Sequence, residues 1–225
     1  MNSLNNPTVR NVIEGTWTLQ AQINPMAEAQ LRKAMAHHPT PFSHKELVDL
    51  CAEGSFACPP EVGRLLYALV RAMRPQVVVE FGMSHGFSTL HIAAALRDNG
   101  AGKLVTTEMH SGKIAVARDI LEEAELAPWV AILEGDAVET LSAVERVDML
   151  YLDGWTDFYL DVLKTVEPNL RPGAFIQADD MGKFGSSAAA QAYLAYVREP
   201  ENGYVSVSFS DYQGFEQSCW TGRNS

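Results

Sequence analysis

The chain has 225 residues, of which 47% are hydrophobic and 20% charged, enough for one domain with a substantial core. Its 28 acidic against 17 basic residues give a net charge of −11, which argues against nucleic acid or an anionic membrane surface as a partner. There is no apolar run of bilayer length and no signal-peptide pattern, and Cys51, Cys58 and Cys219 have no metal-site spacing; free thiols in a cytoplasmic protein are expected.

Residues 1 to about 41 are polar and mixed, with a helix expected over 25–36. The pair His37-His38 reads as a helix C-terminus, because adjacent residues on one chain rarely converge on one ion. A helix is expected over 43–51. A stronger one opens at Pro59-Pro60, with Val62, Leu65, Leu66, Leu69, Val70 and Met73 forming a core-facing stripe. Pro75 stops it.

Strands and helices then alternate. Strands are expected at 77–81, 103–108, 129–134, 147–152 and 174–178. The helices between and after them are expected from near 86, and over 112–124, 137–141, 157–166 and 186–198. Two last strands, 204–209 and 215–220, flank a loop containing Gly214 and read as an antiparallel hairpin. The pattern predicts an α/β fold: a doubly wound, mainly parallel sheet with an antiparallel edge pair and helices on both faces.

The most informative stretch is 77–92, where a β-branched run ends in an acid and a glycine-bounded turn leads into a helix. Its spacing is Glu80-x-Gly82-x-x-x-Gly86-x-Ser88, not the Gly-x-Gly-x-x-Gly of a dinucleotide site. In an open parallel sheet, ligands sit beyond the carboxyl ends of the strands. An acid follows every strand there: Glu80, Glu108, Asp136, Asp153 and the pair Asp179-Asp180.

These acids divide by chemistry. Glu108, at the end of the second strand, can accept both ribose hydroxyls of a bound nucleoside, a role that would also serve NAD. Asp136 can accept an adenine amino group or simply cap the next helix. The turn from Gly82 to Gly86 lets backbone approach a ligand closely. Were the ligand S-adenosylmethionine (SAM), with a sulfonium and an ammonium in place of a pyrophosphate, Glu80 would be a candidate ammonium acceptor; its other role is to fix the turn. Asp153, Asp179 and Asp180 lie at the ends of neighbouring strands. If they converge, they repel and raise one another's pKa, which a hard divalent cation such as Mg²⁺ would relieve. Such an ion also lowers the pKa of a bound hydroxyl. The metal-free alternative is a single Asp acting as general base.

From Pro59 to Trp220 the chain resembles the class I SAM-dependent O-methyltransferases, in particular the catechol O-methyltransferase-like and antibiotic-sugar O-methyltransferase groups. The resemblance rests on Glu80-Phe-Gly82-Met-Ser-His-Gly86-Phe-Ser88, Thr106-Thr-Glu108, Gly135-Asp136-Ala137, Tyr151-Leu-Asp153-Gly-Trp155 and Ala178-Asp179-Asp180. It implies a Rossmann-like seven-stranded sheet and methyl transfer from SAM to a hydroxyl of a small molecule, a sugar, glycoside or phenol. It implies that Gly82, Ser84, Gly86 and Ser88 surround the methionine part of SAM and that Glu108 holds the ribose. Asp136 and Ala137 would lie at the adenine, with Trp155 packed near it and Asp153 also beside the cofactor. Residues 1–58 would form a helical cap serving the substrate or a dimer face, and 59–225 the SAM-binding domain; a homodimer is allowed.

Two departures matter. Catechol enzymes use Asp, Asp and Asn for the metal, and here the third position is Asp180. They also carry a catalytic lysine in Asp-x-Trp-Lys, where this chain has Asp153-Gly-Trp155-Thr156 and no lysine before Lys164. In the sugar enzymes an extra carboxylate near the first Asp acts as base, and Asp157 is its nearest analogue. His85 is expected to pack beside SAM, and the segment from Met181 to Ser187 to act as a mobile lid. Specificity would come from the N-terminal helices, that segment and the loop from Ser210 to Gly214. Three other readings stay open: a metal-independent N- or C-methyltransferase, a NAD-dependent oxidoreductase, and a non-catalytic SAM-binding protein.

Overall fold

Seven strands form one sheet in the order β3-β2-β1-β4-β5-β7-β6. They are β1 Val77–Phe81, β2 Lys103–Glu108, β3 Val130–Glu134, β4 Val147–Leu152, β5 Leu170–Ala178, β6 Tyr204–Phe209 and β7 Phe215–Trp220. The first five are parallel, while β7 pairs antiparallel with both β5 and β6. The computed structural model describes residues 2–37, 42–182 and 185–223. It agrees with the expected Rossmann-like sheet and its C-terminal hairpin.

Eight α-helices accompany the sheet among the described residues: α1 Pro7–His37, α2 His44–Leu50, α3 Pro60–Met73, α4 Phe87–Asn99, α5 Ser111–Glu123, α6 Ala137–Thr140, α7 Tyr159–Val166 and α8 Ala188–Arg198. The two faces separate by strand parity, because successive side chains point to opposite sides. Val79, Phe81, Leu150, Leu152, Ile176 and Ala178 meet α7 and α8. Val78, Leu104, Met149 and Tyr151 meet α3 and α4. Helix α4 is buried almost all round, since α1 crosses its outer side through Val9 and Val12.

The first helix differs from expectation. The sequence suggests a start at Pro25, whereas α1 runs from Pro7 straight through Pro25. Packing of its first half on α4 and the Trp17–Phe87 ring contact supply the anchorage that the polar sequence hides. The described helix reaches His37; the expected C-terminus at His37-His38 falls partly outside the described residues. Helix α2 is set by a capping box in which Ser43 and Glu46 satisfy each other's backbone N–H. No helix among the described residues is long and apolar enough to cross a membrane.

The register places the acids. Leu152 pairs with Ala178, and Asp179 N donates to Leu152 O at 2.9 Å, so the parallel ladder continues one step and sets Asp153 beside Asp179. Asp153 N likewise donates to Phe81 O at 2.9 Å, extending β4 along β1. Parity turns Asp153 and Asp179 to the face of Tyr151, toward the start of α3. The opening turn lies close by. Gly82 has φ +97°, and a Cβ there would come within 2.7 Å of the Asp153 carbonyl, so only glycine lets the turn rest on that backbone.

Candidate functional site

One cavity of about 400 Å³ lies over the carboxyl ends of β1, β2 and β4, within the range usual for small-molecule sites. Its walls come from the turn after β1, from Glu108, from Gly135 and Ala137, from 153–156, and from α1 and α2.

At the β2 end Glu108 faces the cavity and is fixed by backbone. Ser84 N donates to its Oε2 at 3.0 Å, and Met109 N and His110 N to its Oε1 at 2.8 and 2.9 Å. Three of roughly four lone-pair sites are thereby used, which leaves Oε2 as the open acceptor. Ser84 holds a left-handed φ of 49°, and its hydroxyl donates to the Ser55 carbonyl, tying the turn to the segment before α3. Lys113 closes this end: it is buried on α5, and burial pushes its ammonium pKa down while Glu108 opposes the shift.

Glu80 is elsewhere. It is fully buried and accepts from Ser88 Oγ, Thr89 Oγ1 and Thr106 Oγ1 at 2.7, 2.6 and 2.6 Å. Burial raises its pKa and the three hydroxyls pull it back. Its carboxylate clasps α4 and β2 and does not line the cavity, so the turn-fixing role is the one the geometry gives it, not the ammonium acceptor. Ser88 is spent on this clasp. Gly86 caps α4 with φ +85° against Ala117, one layer beneath the cavity. Gly82 and Ser84 reach the cavity itself.

At the β3 end Asp136 is engaged twice. Its Oδ1 accepts from Val138 N at 2.8 Å, capping α6, and its Oδ2 lies 3.0 Å from His44 Nδ1. The His44 ring stacks on Phe158 at 4.1 Å and meets Phe81 edge-on at 6.0 Å. Asp136 is thus committed to the cap and to His44, while Ala137 and Trp155 line the cavity. His85 is buried beside α5, not in the cavity, and burial and Lys113 lower its pKa to about 4, so it is neutral near pH 7.

At the β4–β5 end the acids converge. Carboxylate oxygens of Asp153 and Asp179 and the thiol of Cys58 all lie within 4.8 Å of one another. Tyr151 Oη donates to Asp179 Oδ2 at 2.9 Å, and Asp180 N donates to Asp179 Oδ1 at 2.9 Å. Burial drives the Asp153 pKa well up, and the charges of Asp179 and Asp180 add to it. Burial likewise pushes Asp179 up, to about 6. Asp180, at φ 60°, lines the cavity at the same end. Carboxylates repelling one another beside a small-molecule cavity fit a divalent cation, whose charge would reverse this balance. The donor atoms that meet within 4.8 Å are those of Asp153, Asp179 and Cys58; the expected third aspartate, Asp180, is not one of them.

Asp157 is not part of this cluster. The chain enters α7 through a 3-10 turn, Thr156–Phe158, which leaves Asp157 exposed and outside the cavity wall. The structure therefore does not bring Asp157, the expected base, to the carboxylates. Lys164 is no substitute, because its ammonium lies over the Tyr196 ring at 5.1 Å. The segment expected as a lid falls partly outside the described residues, at 183–184. Its first two residues dock on the specificity loop, with Met181 N and Gly182 N donating to Gly214 O and Gln213 O at 2.9 Å.

Sequence reasoning missed His44, Cys58 and Lys113. The capping Ser43 was a signal for His44, which follows it; Cys58 and Lys113 carry no spacing that ties them to the acids.

A family profile described as a methyltransferase domain matches residues 79–181, the span from β1 through the Asp179-Asp180 pair. Catechol O-methyltransferase B of Danio rerio is 28% identical over 214 residues, covering 86% of this chain and 78% of that protein. Catechol O-methyltransferase of Sus scrofa is 29% identical over 163 residues, 69% of this chain and 84% of that protein. Among solved structures, the Podospora anserina methyltransferase PaMTH1 bound to S-adenosylhomocysteine superposes with a TM-score of 0.68 at 19% identity, over 87% of this chain and 88% of that one.

Proposed function

Because the chain belongs to the catechol O-methyltransferase-like family of SAM-dependent O-methyltransferases, we propose that it methylates a hydroxyl of a small molecule with the help of a divalent cation held by Asp153, Asp179 and Asp180. The observation that carries this reading is the convergence of mutually destabilised carboxylates at one end of a cavity whose other end presents Glu108.

The cofactor would lie from Asp153 to Glu108. Gly82 and Ser84 offer close backbone, Glu108 Oε2 accepts from the ribose, and Ala137 and Trp155 flank the adenine. The reaction is an in-line displacement: an acceptor oxygen attacks the methyl carbon as the sulfonium bond breaks and S-adenosylhomocysteine leaves. Holding donor and acceptor in line supplies a large share of such a rate. A divalent ion, when bound, lowers the pKa of the acceptor hydroxyl. The side chains orient the acceptor: Thr156, Gln213 and the α1 residues Gln20 and Asn24 line the same cavity as the carboxylates. With no lysine after Trp155 and Asp157 turned outward, deprotonation depends on the carboxylate cluster more heavily than in the catechol enzymes. The polar α1 wall suits a hydroxylated acceptor, phenolic or sugar.

The test is turnover of a panel of catechols and hydroxylated glycosides with and without EDTA, in the wild type and in Asp153→Ala. Chelation should abolish turnover and added Mg²⁺ or Mn²⁺ restore it, while the variant stays inactive yet still binds S-adenosylhomocysteine. Turnover that survives both EDTA and Asp153→Ala would overturn the metal assignment.

A further inference from the structure

Among the cysteines, Cys58 alone shares a donor cluster with carboxylates in the described part of the chain. We propose that its sulfur is a ligand of the divalent cation, so that the centre is a mixed sulfur–oxygen site preferring a borderline ion such as Zn²⁺ or Co²⁺ over Mg²⁺. The proposal rests on the metal reading above and specifies which ion that site takes.

Geometry is the first support. Two donors on one zinc-like ion, with bonds of about 2.3 Å to sulfur and 2.0–2.2 Å to oxygen, lie less than about 4.5 Å apart. The Cys58 thiol and the oxygens of Asp153 and Asp179 fall within 4.8 Å of one another before any ion draws them in. Local sequence is the second. Cys58 precedes Pro59-Pro60, so its backbone is restricted to extended conformations, and α3 begins two residues later. The thiol is therefore carried at the fixed end of a 14-residue helix that packs on the sheet through Val62, Leu66 and Val70. It is 4% exposed and hydrogen-bonds the side chain of Tyr151, whose hydroxyl donates to Asp179. Three chain segments distant in sequence thus hold three donors on one point.

Donor chemistry is the third. Thiolate favours zinc and similar ions, whereas Mg²⁺ takes oxygen and retains its waters. A site of Asp153, Asp179 and Asp180 alone would suit Mg²⁺; adding sulfur contributes binding energy only to ions that accept it. Binding of such an ion releases the thiol proton to solvent.

Cobalt titration of the full chain, stripped of metal, reports sulfur directly. The wild type should develop visible ligand-field bands and a near-ultraviolet sulfur-to-cobalt charge-transfer band. Cys58→Ser and Cys58→Ala should keep the ligand-field bands and lose the charge-transfer band. Calorimetry should show Zn²⁺ affinity falling at least about tenfold in Cys58→Ala, with Mg²⁺ affinity within about twofold of wild type. Circular dichroism and S-adenosylhomocysteine binding check that the variants fold. Should they not, X-ray absorption at the zinc edge of the wild type with one equivalent bound needs no variant; one sulfur neighbour at about 2.3 Å is expected. An oxygen-and-nitrogen-only shell, or a charge-transfer band that persists in both variants, overturns sulfur ligation and leaves the metal reading standing. No binding of any divalent ion removes the metal reading and the proposal together.

Discussion

Glu80 and Asp153 are acids on adjacent strands, turned to the same face, and Glu80 pairs in register with Tyr151, two residues before Asp153. Their surroundings are opposite. Glu80 meets three hydroxyl donors, one from β2 and two from the first turn of α4, and both its oxygens are satisfied. Asp153 meets Asp179, Asp180 and a thiol, with a single tyrosine hydroxyl among them. The first is a finished hydrogen-bond clasp. The second gathers negative charge that the protein alone does not compensate. Burial of a carboxylate therefore does not mark a site; what marks this one is like charges gathered at one point of the cavity.

The largest effect should come from breaking the clasp. Glu80→Ala strands three buried hydroxyls and detaches the start of α4, and should cost about 3 kcal/mol or more in urea denaturation. Glu80 does not line the cavity, so any change in divalent-ion affinity should come only through its charge, which also acts on Asp153. A stability loss below about 1 kcal/mol would mean that the clasp is not what holds the turn.

The opposite sign is expected at the open cluster. Asp153→Asn removes one charge from a crowded set and should stabilise the metal-free protein at pH 8 by on the order of 1–3 kcal/mol while abolishing metal-dependent turnover. The pH dependence follows from the raised pKa. The folded state keeps a proton that the unfolded chain releases above 3.8, so wild-type stability falls as pH rises from there through the elevated folded value. The advantage of Asp153→Asn should be largest at pH 8 and vanish below about pH 4. A metal-free variant less stable than wild type at pH 8 would show that the cluster is not frustrated.

The contrast also explains what could be read in advance. Strand runs such as Val77–Phe81 are rich in β-branched and apolar residues, and their turns are marked by glycine or proline, so the strands, the mainly parallel sheet and the terminal hairpin were legible, while the order of strands within the sheet was not read. The acids at strand ends were legible as a set, because position along a parallel sheet is fixed by strand order. Which acids are satisfied was not, since the donors to Glu80 come from Thr106 and from Ser88-Thr89, and nothing in their spacing distinguishes clasp from ligand. Cys58 is 95 residues from Asp153, and only the docking of α3 on the sheet joins them. Asp157 misled because a helix was expected to begin there; the 3-10 turn rotates it outward. Helix α1 was read short because Pro25 resembles a start, whereas the tertiary contacts of its first half carry the helix through.

Glu108 lies between the two extremes and gives the smallest and most discriminating effect. It is a carboxylate held by backbone N–H groups alone, with one oxygen still open to the cavity. In Glu108→Gln the amide nitrogen cannot accept, so either Ser84 N or the Met109–His110 pair loses its partner. If Oε1 keeps its two donors, the change falls on the Ser84 contact and on the cofactor face. The fold should lose only about 1 kcal/mol, the worth of one hydrogen bond, because the turn retains Met83 N to Thr107 O at 3.1 Å and Gly86 N to Met83 O at 2.9 Å. Affinity for S-adenosylhomocysteine, measured by calorimetry, should fall roughly tenfold, the loss of one charged acceptor. Equal affinity with reduced stability would move Glu108 into the class of Glu80, a clasp only. Reduced affinity with stability nearly intact would place it with the ligand-facing acids, at the ribose.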